Sequence, residues 1–169
     1  MASRIVVIGI GNEFRGDDAA GIVVARALQK GPLPSHVSVV EAGLAGPSLL
    51  NIWMGADLAI VVDAVTVERD GEDTALRPGS VMEINVSDVL LGSASFCSDR
   101  ASSHGFGLRE ALQLASVLGY PYMPHRLRVI GICADLANLH ITNGGLTPAV
   151  GRGCAEAVKE IRKTICLHL

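Results

Sequence analysis

The chain of 169 residues is poor in aromatics, 4% in all, and poor in charge, with Asp, Glu, Lys and Arg together at 18%. Few aromatics mean few platforms on which bases could stack, and a formal charge of −3 leaves no basic stripe for a phosphate backbone. Both argue against nucleic acid as a partner. No apolar run approaches membrane-spanning length, and Met1-Ala2-Ser3-Arg4 leads into a strand pattern without the three-part layout of a secretory signal. The expectation is a cytoplasmic protein without membrane insertion. The four cysteines, Cys97, Cys133, Cys154 and Cys166, stand singly, without the paired spacing of a zinc knuckle or redox motif. In a reducing compartment they are expected to be free thiols serving as small hydrophobes, with Cys97, in a polar loop, the one to watch.

What the chain has in quantity is Val, Ile, Leu and Ala, within a hydrophobic share of 49%. A chain of this length buries a core without disulfides or a structural metal, and is expected to form one domain over residues 1–169. Apolar runs at 4–10, 37–40, 58–62 and 126–133 read as strands, and 80–86 alternates as a half-exposed edge strand would. Helical spacing follows Asp17 as far as Gly31-Pro32, and recurs at 47–54, from about 104 to 118, and at 148–166. Residues 67–78 are charged and turn-rich, and 92–103 form a Ser-rich loop. The alternation predicts an α/β fold: a three-layer sandwich with a mostly parallel, twisted sheet of about five strands and helices on both faces.

The segment after the first strand imitates a dinucleotide-binding turn through Gly9 and Gly11, but the third glycine position falls on Phe14 and Gly16 comes too late. Asp17 and Asp18 open the next helix, where a phosphate would need positive charge, so they would repel the ligand of that motif. One aspartate there is accounted for as a helix N-cap. Two in succession, at the carboxyl end of a parallel strand where α/β proteins bind ligands, leave one for a cation. Cap alone and cap plus metal both remain open at this point.

Asp63 is the first ionisable group after the uncharged run at 58–62, on the same expected rim as Asp18. His104 opens a helix, where the dipole disfavours the protonated ring and the neutral form can bind metal. His36 and His125 precede strands on the opposite rim, His168 lies in the tail, and His140 is the rival ligand on the functional rim. Two carboxylates and one imidazole from three loops would make an open site suited to a borderline divalent ion such as Ni²⁺ or Zn²⁺.

Five segments in order resemble the hydrogenase maturation proteases, the endopeptidases that trim a C-terminal extension from the large subunit of [NiFe] hydrogenases. They are Gly9-Ile10-Gly11-Asn12, Asp17-Asp18, Asp63-Ala64, His104-Gly105-Phe106-Gly107-Leu108 and Gly145-Leu146-Thr147-Pro148. Each is weak alone; together they cover nearly the whole chain. The resemblance implies a peptidase whose Asp18, Asp63 and His104 are both catalytic and metal-contacting. It also implies that Ni²⁺ arrives with the substrate, the precursor of a [NiFe] hydrogenase large subunit. Other divalent ions could occupy the site. Asp17 is then a candidate for orienting the site or acting as base, and no Ser or Cys with an evident His partner stands out as a nucleophile, Cys97 near His104 aside. Two readings compete: a zinc-dependent hydrolase carrying its own ion, and a non-catalytic chaperone that recognises a nickel-loaded partner.

Overall fold

The structure, a computed structural model, describes residues 3–44, 46–66, 76–91, 107–135, 138–139 and 145–168. Five strands, β1 (Ile5–Ile10), β2 (Val37–Gly43), β3 (Leu58–Thr66), β4 (Val81–Ile84) and β5 (Arg126–Ala134), form one sheet in the order β2-β1-β3-β5-β4. All pairings are parallel except β4 with β5. The parallel strands β1 and β3 are buried along their whole length, the consequence of Val/Ile/Leu runs covered on both faces. The alternating β4 lies at the edge, as its pattern predicts.

Side chains alternate between two apolar layers. Ile5 and Val7 of β1 and Leu58, Ile60 and Val62 of β3 pack with the helices α1 (Ala20–Gln29) and α5 (Pro148–Cys166). Val6, Ile8, Ala59 and Val61 pack with α2 (Ser48–Trp53), α3 (Val86–Leu91) and α4 (Leu108–Leu118) on the other face. The three-layer sandwich expected from the sequence is therefore present. Among the described residues no helix is long and apolar enough to cross a membrane.

The elements differ from expectation in five places. The strand expected at 58–62 continues through Asp63 to Thr66, and that at 37–40 continues to Gly43. The helix expected from Asp17 begins as a 3₁₀ turn, Gly16–Ala19, before becoming α1 at Ala20. α3 occupies six residues where no helix was expected. The helix expected from about 104 begins at Leu108, with the Glu110 carboxylate accepting from the Gly107 N–H 2.8 Å away.

Candidate active site at the parting of two strands

The carboxyl ends of β1 and β3 form the switch point of this sheet: from β1 the chain crosses to β2 on one side, whereas β3 borders β5 on the other. Open α/β sheets bind ligands in the crevice that results. Here the crevice starts at an identifiable residue. The pairing of β1 with β3 ends at Gly9 with Val62. The register of β1 with β2 then slips, so that Gly9 faces Glu41 but Ile10 faces Gly43. Such a bulge bends the strand that carries the extra residue, here β2 at Ala42, and the ladder between β1 and β3 stops just where Asp63 follows Val62. Asp63 is thus inside its strand rather than after it, fully buried, and its Oδ1 accepts from the Ala64 N–H at 2.8 Å. By strand alternation its side chain belongs to the layer of Ala59, Val61 and Val65, the α2–α4 side of the sheet.

The Gly-x-Gly pair accounts for how closely the acidic turn approaches this point. A Cβ on Gly21 would lie 2.2 Å from the Ile10 carbonyl oxygen and 2.3 Å from that of Val62, so only glycine lets the start of α1 rest on both strands. Gly11, at φ +140°, meets the 3₁₀ turn directly: a Cβ there would lie 1.9 Å from the carbonyl oxygen of Asp18. The glycines that resemble a phosphate loop serve instead to seat Asp18 against the strand ends. Asn12 closes the turn. Its N–H donates to the Asp18 carbonyl (3.2 Å), its carbonyl accepts from Arg15 N–H (3.1 Å), and its side-chain oxygen accepts from Phe14 N–H (3.0 Å).

The two aspartates of the pair have separate roles. Asp17 is fully buried, and both its carboxylate oxygens are engaged by Thr147: Oδ1 accepts from the Thr147 N–H at 2.7 Å, and Oδ2 from the Thr147 hydroxyl at 3.0 Å. It caps no helix of its own. Instead it grips the residue that caps α5, for Thr147 Oγ1 also accepts from Val150 N–H at 3.4 Å, with Pro148 in the first turn. The Gly-Leu-Thr-Pro segment and the acidic pair, 130 residues apart, are one hydrogen-bonded unit.

Asp18 is 1% exposed, yet among the described residues neither carboxylate oxygen has a hydrogen-bond partner. Burial pushes its carboxyl above the ordinary range; Arg15 and the Asn12 backbone oppose the shift without cancelling it. A buried, unsatisfied carboxylate costs stability, and proteins keep such groups where a ligand completes them. The donor chemistry fits a divalent cation.

His104, the third residue expected here, lies outside the described residues, as do Cys97 and His140. Among the described residues no three His, Cys, Asp or Glu side chains are grouped so as to hold a metal ion. Cys133 and Cys154 are buried free thiols, as expected of small hydrophobes, whereas Cys166 is exposed near the end of α5. Cys154 donates through sulfur to the Ala20 carbonyl, and burial together with the nearby Asp17 charge pushes its thiol up to about 12. That excludes Cys154 as a thiolate nucleophile near neutral pH. Sequence reasoning missed Thr147 as the partner of Asp17, although Thr-Pro before a helical run is a recognisable cap signal.

Comparison with known proteins agrees with this fold. The chain is 28% identical to the Hydrogenase 2 maturation protease of Escherichia coli (strain K12) over 94% of its own length and 88% of that protein's. It is 31% identical to the hydrogenase expression/formation protein HupD of Bradyrhizobium diazoefficiens, over 92% and 74% respectively. Among solved structures, the hydrogenase maturating endopeptidase HybD from E. coli superposes with a TM-score of 0.74 at 27% identity, covering 96% of this chain and 91% of that one. The profile of the hydrogenase maturation protease family matches residues 22–164, and the chain belongs to that family of peptidases.

Proposed function

We propose that this protease removes the C-terminal extension from the precursor of a [NiFe] hydrogenase large subunit, and that Ni²⁺ already installed in the precursor is what it recognises. The observation that supports this is Asp18, a buried carboxylate with both oxygens unpartnered among the described residues, on the turn that follows β1. The reading assigns Asp18, Asp63 and His104 to the substrate's ion and to catalysis. Hydrolysis adds water across one peptide bond, and a carboxylate at this site supplies a base for that water. Asp17, with both oxygens engaged by Thr147, orients the acidic turn and does not serve as the base. Bound nickel in the precursor would supply positive charge that offsets burial of the Asp18 carboxylate. The reaction belongs in the cytoplasm, where Cys133, Cys154 and Cys166 stay reduced.

The test is to incubate purified protein with a nickel-loaded precursor and follow its mass. The wild-type chain should shorten the precursor at its C-terminus, and Asp63→Asn should lower kcat at least a hundredfold. A precursor left intact by the wild type, or cut equally fast by Asp63→Asn, contradicts the reading.

A further inference from the structure

An open cleft of about 430 Å³ lies beside the acidic turn, with Glu13, Phe14, Arg26, Glu41 and Leu44 in its lining. Three features set it apart from ordinary surface. Phe14, 63% exposed, is presented to solvent from a turn fixed by hydrogen bonds to both the side chain and the carbonyl of Asn12. Leu44, 44% exposed, also lines the cleft. Single exposed apolar residues are common, but two lining one cleft, one of them on a braced turn, make a surface suited to an apolar side chain.

The second feature is charge. Arg26 donates through Nε to Glu41 (2.9 Å) and through a terminal nitrogen to Glu13 (2.7 Å), so one guanidinium bridges two carboxylates. The cleft therefore keeps an excess negative charge at its wall. The third is position: the cleft shares the Gly11-Asn12 turn with the site, the same turn that abuts and bonds the Asp18 backbone.

We infer that this cleft docks a segment of the precursor in which an aliphatic side chain, seated between Phe14 and Leu44, lies next to a cationic one facing Glu13 and Glu41. The inference rests on the proposed function for the identity of the partner, and the chemistry of the cleft supplies the rest. Binding energy gathered here holds the precursor beside the switch point, and acts on substrate affinity rather than on the bond-breaking step.

The experiment measures both precursor binding and cleavage for the wild type, Phe14→Ala, the double variant Glu13→Gln/Glu41→Gln, and Val117→Ala, an exposed residue remote from the cleft by sequence and element. Phe14→Ala should raise Kd and KM about tenfold with kcat within about twofold. The glutamine pair should weaken binding and flatten its dependence on salt, and Val117→Ala should match the wild type. Melting temperatures report whether each variant folds, and Leu44→Ser provides a second cleft variant should Phe14→Ala be unstable. Unchanged Kd in both apolar cleft variants overturns the inference whether or not the precursor is cut. Weakened binding without any wild-type cleavage would instead support the cleft and contradict the protease reading. A wild-type dimer that becomes monomeric in Phe14→Ala would assign the cleft to a second copy of the chain and overturn docking of the precursor.

Discussion

Asp17 and Thr147, 130 residues apart, are joined through both oxygens of a buried carboxylate, which accepts the Thr147 N–H at 2.7 Å and its hydroxyl at 3.0 Å. The pair ties the 3₁₀ turn that carries Asp18 to the first turn of the longest helix. Thr147→Val keeps the shape but loses the hydroxyl that donates to Asp17 and accepts from Val150. The loss should cost about 1–3 kcal/mol, and kcat should fall as the acidic turn shifts. Thr147→Ser should restore most of both. Thermal unfolding and cleavage assays on the two variants check this; a valine variant equal to wild type in both would remove the link between the helix cap and the site.

Asp18 gives a pH signature. Its folded carboxyl titrates above the ordinary carboxylate range, chiefly through burial, so the native state holds this proton more tightly than the unfolded chain. Stability from this group therefore falls as pH rises from about 3.8 through the folded value, and the cost is fully present above it. Asp18→Asn removes the charge. At neutral pH it should melt higher than wild type, by roughly 2–4 °C for each kcal/mol recovered, while cleavage is lost. The difference should shrink as pH falls through the folded value. A variant that melts lower than wild type at pH 7 would show that the carboxylate is satisfied in the ligand-free protein.

Gly11 should not tolerate even a methyl group. Its φ is +140°, and a Cβ would lie 1.9 Å from the Asp18 carbonyl oxygen, which is backbone and cannot rotate aside. Gly11→Ala is expected to destabilise the fold by about 2 kcal/mol or more. It should also reduce kcat well beyond the fraction that unfolds, because the turn bearing Asp18 must move. Far-ultraviolet circular dichroism and cleavage measured on the same preparation separate the two effects; full activity in Gly11→Ala would mean that the turn's seat against β1 is irrelevant to the site.

The layers were legible because β1, β3 and β5 are unbroken Val/Ile/Leu-rich runs between turn signals, and α5 has a Pro start and steady helical spacing. Asp63 was legible as a site residue but not as a strand residue. An aspartate after five apolar residues ordinarily ends a strand, and only pairing with Gly131 of β5 carries β3 past it. The slip at Ile10 depends on where β2 ends, which local pattern does not encode. Asp17 reads locally as a cap for its own helix, the commonest local role, because its true partner is brought near only by the packing of α5 against α1. The roles of Gly11 and Gly21 were hidden for the same reason: their constraints come from backbone of other elements.

Asp18, Asp63 and His104 are proposed to read a metal in the substrate. The most direct measurement presents the purified enzyme with one precursor in two forms, nickel-loaded and nickel-free, and follows cleavage of each over time. Cleavage confined to the nickel-loaded form is the predicted result. Equal cleavage of both forms would contradict it.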